Sequence, residues 1–134
     1  MAWRMESVQS VHDARVRGLM GIYTGKGYTA WCNPDGEKNK ALNNRYPDVI
    51  VKMKNEDSYY VFEVETDDSV TQAEAEGQWK DYSGAFQHWY LAVPAGQEET
   101  AQELLADNGI TNCTVVTWKA NEEGGYTFYG LPGV

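Results

Sequence analysis

Residues 47–65 read PDVIVKMKNEDSYYVFEVE. Two runs rich in β-branched and aromatic residues, Pro47 to Lys54 and Ser58 to Thr66, flank the polar turn Asn55-Glu56-Asp57. That pattern predicts two strands joined as a hairpin. Side chains alternate along a strand, so Glu63 and Glu65 share one face while Tyr60, Phe62 and Val64 take the other. A tight turn pairs the two strands, and Asp48 can then face Glu63. Three carboxylates at one end of a sheet repel each other unless a cation sits among them. Oxygen-only ligands suit Mg²⁺ or Mn²⁺, and such a site can activate water and stabilise a phosphoryl transition state. The plainer reading is a strand with solvent-facing acids, although glutamate is disfavoured in strands.

Upstream of this hairpin, Val8, Val11, Val16, Leu19, Met20 and Tyr23 recur at helical spacing, which predicts a helix over 6–23 ended by Gly25 and Gly27. Tyr28 to Cys32 reads as a strand, Asn33-Pro34-Asp35-Gly36 as a turn, and 37–44 as a polar loop. Downstream, Ser69 and Gln72 fit a capping box for a helix running to about Ser83. His88 to Val93 is a fourth strand, Gln97 to Asp107 a helix stopped by Asn108-Gly109, and Thr114 to Trp118 a fifth strand. Asn121 to Gly125 is a hairpin-like turn after which Tyr126 to Tyr129 can pair back. Strands alternating with helices imply an α/β domain with a mixed five-stranded sheet between helices.

The chain has 134 residues, which suits a single domain over 1–134 with its core at about 6–118 and a C-terminal hairpin at about 114–130. No apolar run is long enough for a membrane span, and no signal-peptide core opens the chain. Cys32 and Cys113 make no disulfide framework and lack the spacing of a zinc site, so a cytoplasmic, intracellular setting with free thiols is expected. The net charge of −9 excludes a basic DNA-coating protein. That charge is uneven. Residues 1–54 hold nine Lys and Arg against five acids, net +4, whereas 55–134 hold two against fifteen, net −13. Residues 1–54 can therefore present a local basic face.

Pro47-Asp48 at the second strand, Glu63-Val64-Glu65 at the third and Gln78-Trp79-Lys80-Asp81-Tyr82 in the following helix resemble the PD-(D/E)xK, or restriction-endonuclease-like, nuclease superfamily. Gln78 and Tyr82 match the QxxxY motif of its RecB-type members. The resemblance spans residues 6–118 and implies a three-layer α/β/α fold. It also implies a divalent-metal-dependent nuclease, an endo- or exonuclease cutting DNA phosphodiester bonds with Mg²⁺ or Mn²⁺. Asp48 and Glu63 would bind the metal with the backbone carbonyl of Val64. Position 65, usually a lysine that orients the attacking water, is Glu65 here. It would hold a second ion or deprotonate water. Lys80, preferred over Lys52, would replace the missing cation, and Gln78 would touch the site or a phosphate. Glu6 in the first helix would add a metal ligand, unless it only favours the helix dipole. His12 resembles a histidine upstream of the motif in RecB-type enzymes, although a lone helical histidine is more often an ordinary core or surface residue. Loss of the lysine also fits an inactive nuclease fold that binds nucleic acid or protein. A third reading, a small acidic interaction protein, explains the charge but not the carboxylates. The acidity predicts weak DNA affinity for the chain alone, with a homodimer or a protein partner supplying the rest.

Overall fold

The computed structural model describes residues 6–35, 37–123 and 125–134, with side chains from Gln9 onward. In chain order the elements are α1 (Glu6–Gly25), β1 (Thr29–Cys32), β2 (Val49–Lys52), β3 (Tyr59–Val64), α2 (Gln72–Glu74), a π-helical turn (Ala75–Trp79), α3 (Lys80–Ala85), β4 (Trp89–Pro94), α4 (Glu98–Asp107), β5 (Cys113–Ala120) and β6 (Tyr126–Tyr129). The strands form one sheet in the order β1-β2-β3-β4-β5-β6. Pairing is antiparallel from β1 to β3, parallel from β3 to β5, and antiparallel again at β6. The two parallel steps are the ones bridged by helices, because a parallel return needs a crossover.

The fold is therefore mixed α/β, as expected, but the sheet has six strands rather than five. Tyr126–Tyr129 does more than fold back locally; it pairs in register along Thr117–Ala120 and becomes an edge strand.

Alternation sorts the core into two halves. Val61, Leu91 and Val93 pack with Trp79, Tyr82, Ala101 and Leu105. Their sequence neighbours Phe62, Val64 and Ala92 pack instead with Val16, Leu19 and Tyr23 of α1. Helical elements thus cover both sheet faces. Each fully buried large apolar side chain, such as Trp79, Trp89 or Phe62, contributes roughly 1.5–3 kcal/mol.

Two details of the second helical segment depart from expectation. Its N-cap is Thr71, whose hydroxyl accepts from the Glu74 amide. Ser69 is engaged elsewhere, its hydroxyl accepting from the Thr66 amide at 3.0 Å, so the Ser69 capping box does not form. The segment also widens into the π turn at Ala75–Trp79, where the Lys80 amide reaches the Ala75 carbonyl five residues back. One extra residue in the turn rotates the helix beyond it, and such bulges favour functional sites.

Candidate metal centre

The register of β2 and β3 runs Val49↔Phe62 to Lys52↔Tyr59. One step further, Asp48 lies across from Glu63, and the Asp48 amide donates to Glu63 Oε1 at 3.1 Å. Both side chains are buried. They then diverge. Asp48 turns its carboxylate toward α1. Its Oδ2 accepts from the Val64 amide at 2.8 Å and sits 3.0 Å from His12 Nε2. Glu63 stays under the second helical segment. Its Oε1 accepts from the Tyr82 hydroxyl and its Oε2 from Gln78 Nε2, both at 2.9 Å.

His12 reaches Asp48 because it lies one turn before Val16 on the buried stripe of α1, continued by Leu19 and Tyr23. It is 1% exposed. Its other ring nitrogen, Nδ1, lies 3.1 Å from Asp13 Oδ1 and 4.0 Å from Asp35 Oδ2. Asp13 Oδ1 also accepts from Gln9 Nε2 at 2.9 Å and from the Asp35 amide at 3.2 Å. The same carboxylate therefore orients the imidazole and the loop that carries Asp35.

Ligand atoms of His12, Asp35 and Asp48 all lie within 4.8 Å of one another, and this buried group could hold a metal ion. The chemistry of the donor set fits one. Ionised carboxylates only accept hydrogen bonds, and His12 has one against each ring nitrogen. A doubly protonated ring would satisfy both contacts, and so would a cation in place of the proton on Nε2. The second arrangement keeps Nδ1–H on Asp13, the usual carboxylate support of a ligating histidine.

The centre opens on a cleft of about 580 Å³. One wall is the loop with Pro34, Lys38, Arg45 and Tyr46; the other is the helical segment with Gln78 and Tyr82. Arg45 crosses the cleft mouth to grip Asp81 with two hydrogen bonds, Nε to Oδ2 at 3.0 Å and Nη2 to Oδ1 at 2.6 Å. That guanidinium holds the Asp81 carboxyl below its ordinary range.

The acids expected to converge are Asp48, Glu63 and Glu65; the group that meets is His12, Asp35 and Asp48. Glu63 borders it, bound instead to Tyr82, Gln78 and the Asp48 amide. Burial, with the Asp48 and Glu65 charges nearby, pushes its carboxyl well above the ordinary glutamate range. Burial beside Glu63 likewise raises the Tyr82 hydroxyl. Glu65 is fully buried just past β3 and does not line the cleft. Its amide donates to the Ala92 carbonyl, and its carbonyl accepts from Trp118 Nε1. Val64 contributes its amide to Asp48.

Gln78 and Tyr82 line the cleft together, four residues apart on one helix face. Lys80, two residues from each, is exposed on the opposite side and does not join them. Lys52 is spent on the Glu56 carbonyl. The Glu6 side chain lies outside the described residues. In the sequence Asp35 reads only as a turn residue, and His12 enters only through its resemblance to a RecB-type histidine, beside the commoner reading of an ordinary helical residue. The available signal was the helical phase of His12 with Val16, Leu19 and Tyr23.

No protein-family model matches the chain, and no curated protein matches it. No helix among the described residues is long and apolar enough to cross a membrane.

Proposed function

We propose that the protein is a divalent-metal-dependent nuclease hydrolysing DNA phosphodiester bonds, with its metal held by His12, Asp35 and Asp48. The observation that carries this reading is the meeting of those three side chains at a cleft whose wall also bears Lys38 and Arg45. Mixed nitrogen and oxygen donors favour Mn²⁺ over Mg²⁺, since imidazole is a poor partner for the harder ion. When bound, such an ion supplies Lewis-acid polarisation of a phosphate oxygen and a more acidic water.

The chain's own residues do the remainder. Asp13 fixes the His12 ring. Glu63 fixes the Asp48 backbone and the Gln78 amide. Lys38 offers a positive charge to an entering phosphate, and of the restriction-endonuclease-like motif residues Asp48, Gln78 and Tyr82 line the cleft while Glu63 hydrogen-bonds all three.

A second reading, an inactive nuclease fold serving as a binding module, is favoured by Glu65. The position where the superfamily has its lysine carries a buried acid here, and Lys80 points away.

The two readings separate in one experiment. Linear, nicked and single-stranded DNA are incubated with Mn²⁺ or Mg²⁺ and wild type, His12→Ala, Asp35→Asn or Asp48→Ala, while Mn²⁺ binding is followed by thermal shift. The nuclease reading expects cleavage by wild type alone and a Mn²⁺-dependent rise in Tm that each variant loses. At an ion concentration 100 times Kd the stabilisation is about 2.7 kcal/mol. Mn²⁺ binding without cleavage of any substrate transfers the conclusion to the binding module. No Mn²⁺ stabilisation of wild type refutes the metal centre.

A further inference from the structure

Two lysine–aromatic pairs lie on β1 and the loop that follows it, one of them in the cleft wall. Lys38 Nζ lies 5.5 Å from the ring centroid of Tyr46, and Lys40 Nζ lies 4.7 Å from that of Trp31. Lys38 and Tyr46 line the cleft, and Tyr46 is 42% exposed although it is large and aromatic. Trp31 is half-buried at the edge strand β1.

Asn33 ties the two pairs together. Its Nδ2 donates to the Lys40 carbonyl at 2.8 Å and to the Pro47 carbonyl, next to Tyr46, at 2.7 Å. Its Oδ1 accepts from the Asn39 and Lys40 amides, both at 2.8 Å. Trp31 lies two residues before Asn33, on the same side of the chain. Two aromatic rings, each with a lysine, thus flank one short loop, and the Tyr46–Lys38 pair lines the cleft.

Charge decides what this edge can bind. Duplex binding is driven mainly by phosphate neutralisation. The chain carries −9 overall, Arg45 is already committed to Asp81, and Asp35, Glu37 and Asp81 share the cleft walls. Lys38 and Lys40 alone are a weak basis for holding a duplex. A single strand brings a second source of affinity, because its unpaired bases stack on aromatic side chains whatever their sequence. The recessed ligands, with Asp48 only 3% exposed, also require a phosphate to enter a cleft of small-ligand size.

We infer that the cleft takes single-stranded nucleic acid, with bases stacking on Tyr46 and Trp31 and phosphates meeting Lys38 and Lys40. This names the substrate class of the nuclease reading and rests on that reading for the chemistry, but not for the binding.

The test measures binding without metal. Fluorescence anisotropy in EDTA follows the full chain with labelled oligothymidylate, oligouridylate and a DNA duplex, each of about 12 nucleotides or base pairs. The expected result is tighter binding of a single strand than of the duplex, with the tighter of the two strands naming DNA or RNA. Tyr46→Ala and Trp31→Ala each weaken it roughly tenfold, while Tyr46→Phe, which keeps the ring, binds like wild type. Lys38→Ala flattens the salt dependence. Tyr46 is exposed, so its variants report binding rather than folding, and a matching melting curve checks this. Equal or tighter duplex binding overturns the inference, as does unchanged affinity in both alanine variants. Failure of the nuclease reading is distinct: the oligonucleotide still binds, but Mn²⁺ neither stabilises nor permits cleavage.

Discussion

Asn33 is the residue on which the geometry of the centre depends most locally. It is buried, and its side chain satisfies four backbone groups of the loop between β1 and β2, while its own amide donates to the Asp48 carbonyl. Asn33→Ala leaves those groups without partners in a place water reaches poorly. The expected loss is about 2–4 kcal/mol in urea unfolding, with weaker Mn²⁺ binding even where the fold survives. Asn33→Asp keeps both acceptors but not the donor, and falls between. Glu63 supports a prediction of opposite character. Its carboxyl is raised by burial and by Asp48 and Glu65, so the folded chain retains a proton that the unfolded chain releases. The stability this confers is complete below the ordinary glutamate value and is lost as pH rises through the folded value. In EDTA, wild type should lose more stability than Glu63→Gln between mildly acidic and mildly alkaline pH. A parallel pH dependence of the two melting curves would refute it. The variant is well tolerated because Gln78 can rotate its amide, whose Oε1 is buried without a partner among the described residues. A half-turn lets Gln78 accept from the substituted amide where its Nε2 now faces Glu63 Oε2.

At the scale of elements, helix interiors hold slack that substitution can remove. A methyl group at Gly21 in α1 or at Gly84 in α3 meets nothing within 4 Å, and neither glycine has a positive φ. Gly21→Ala and Gly84→Ala should each stabilise by about 0.5–1 kcal/mol, additively, since the sites lie on separate helices. Thermal melts of the single and double variants check this. By contrast, Gly133 has φ +72° and an added Cβ would stand 2.5 Å from the Tyr28 hydroxyl, which donates to the Gly133 carbonyl. The elements readable in the sequence are those set by local pattern. The alternation of residues 47–65 placed Asp48 opposite Glu63, and the four-residue spacing of Gln78 and Tyr82 put both on one face. The pattern chose Ser69 as the cap and the structure uses Thr71, because Ser69 is occupied by the Thr66 amide, a contact no local spacing shows. The π turn was invisible for a related reason: its widening meets the packing of Trp79 and Tyr82 under the sheet, not a signature of its own residues. The pairing of His12 with Asp48 crosses 36 residues and follows from how α1 is rotated against the sheet. No local spacing encodes that rotation, so the centre was legible on the β2–β3 side and hidden on the α1 side.

For the molecule as a whole, the excess of negative charge outweighs its few surface ion pairs. Among the described residues the exposed pairs are Arg17–Glu37 and Arg45–Asp81, and such pairs contribute about 0–1 kcal/mol each. Self-repulsion at net −9 is the larger effect. Raising NaCl from about 0.01 M to about 0.15 M shortens the screening length from roughly 30 Å to 8 Å, and Tm should rise by a few degrees. A Tm that falls with salt would show the paired charges to dominate. The sheet order adds a consequence for the birth of the protein. Its six strands stand side by side in the order in which a ribosome makes them, so each newly synthesised strand docks on the edge left by the one before. His12, Asp35, Asp48 and Glu63 all emerge before any of Gln72–Ala85, the segment whose Gln78 and Tyr82 bind Glu63. The nascent chain therefore holds all three side chains of the candidate centre, His12, Asp35 and Asp48, while the second half of its own sheet is still untranslated.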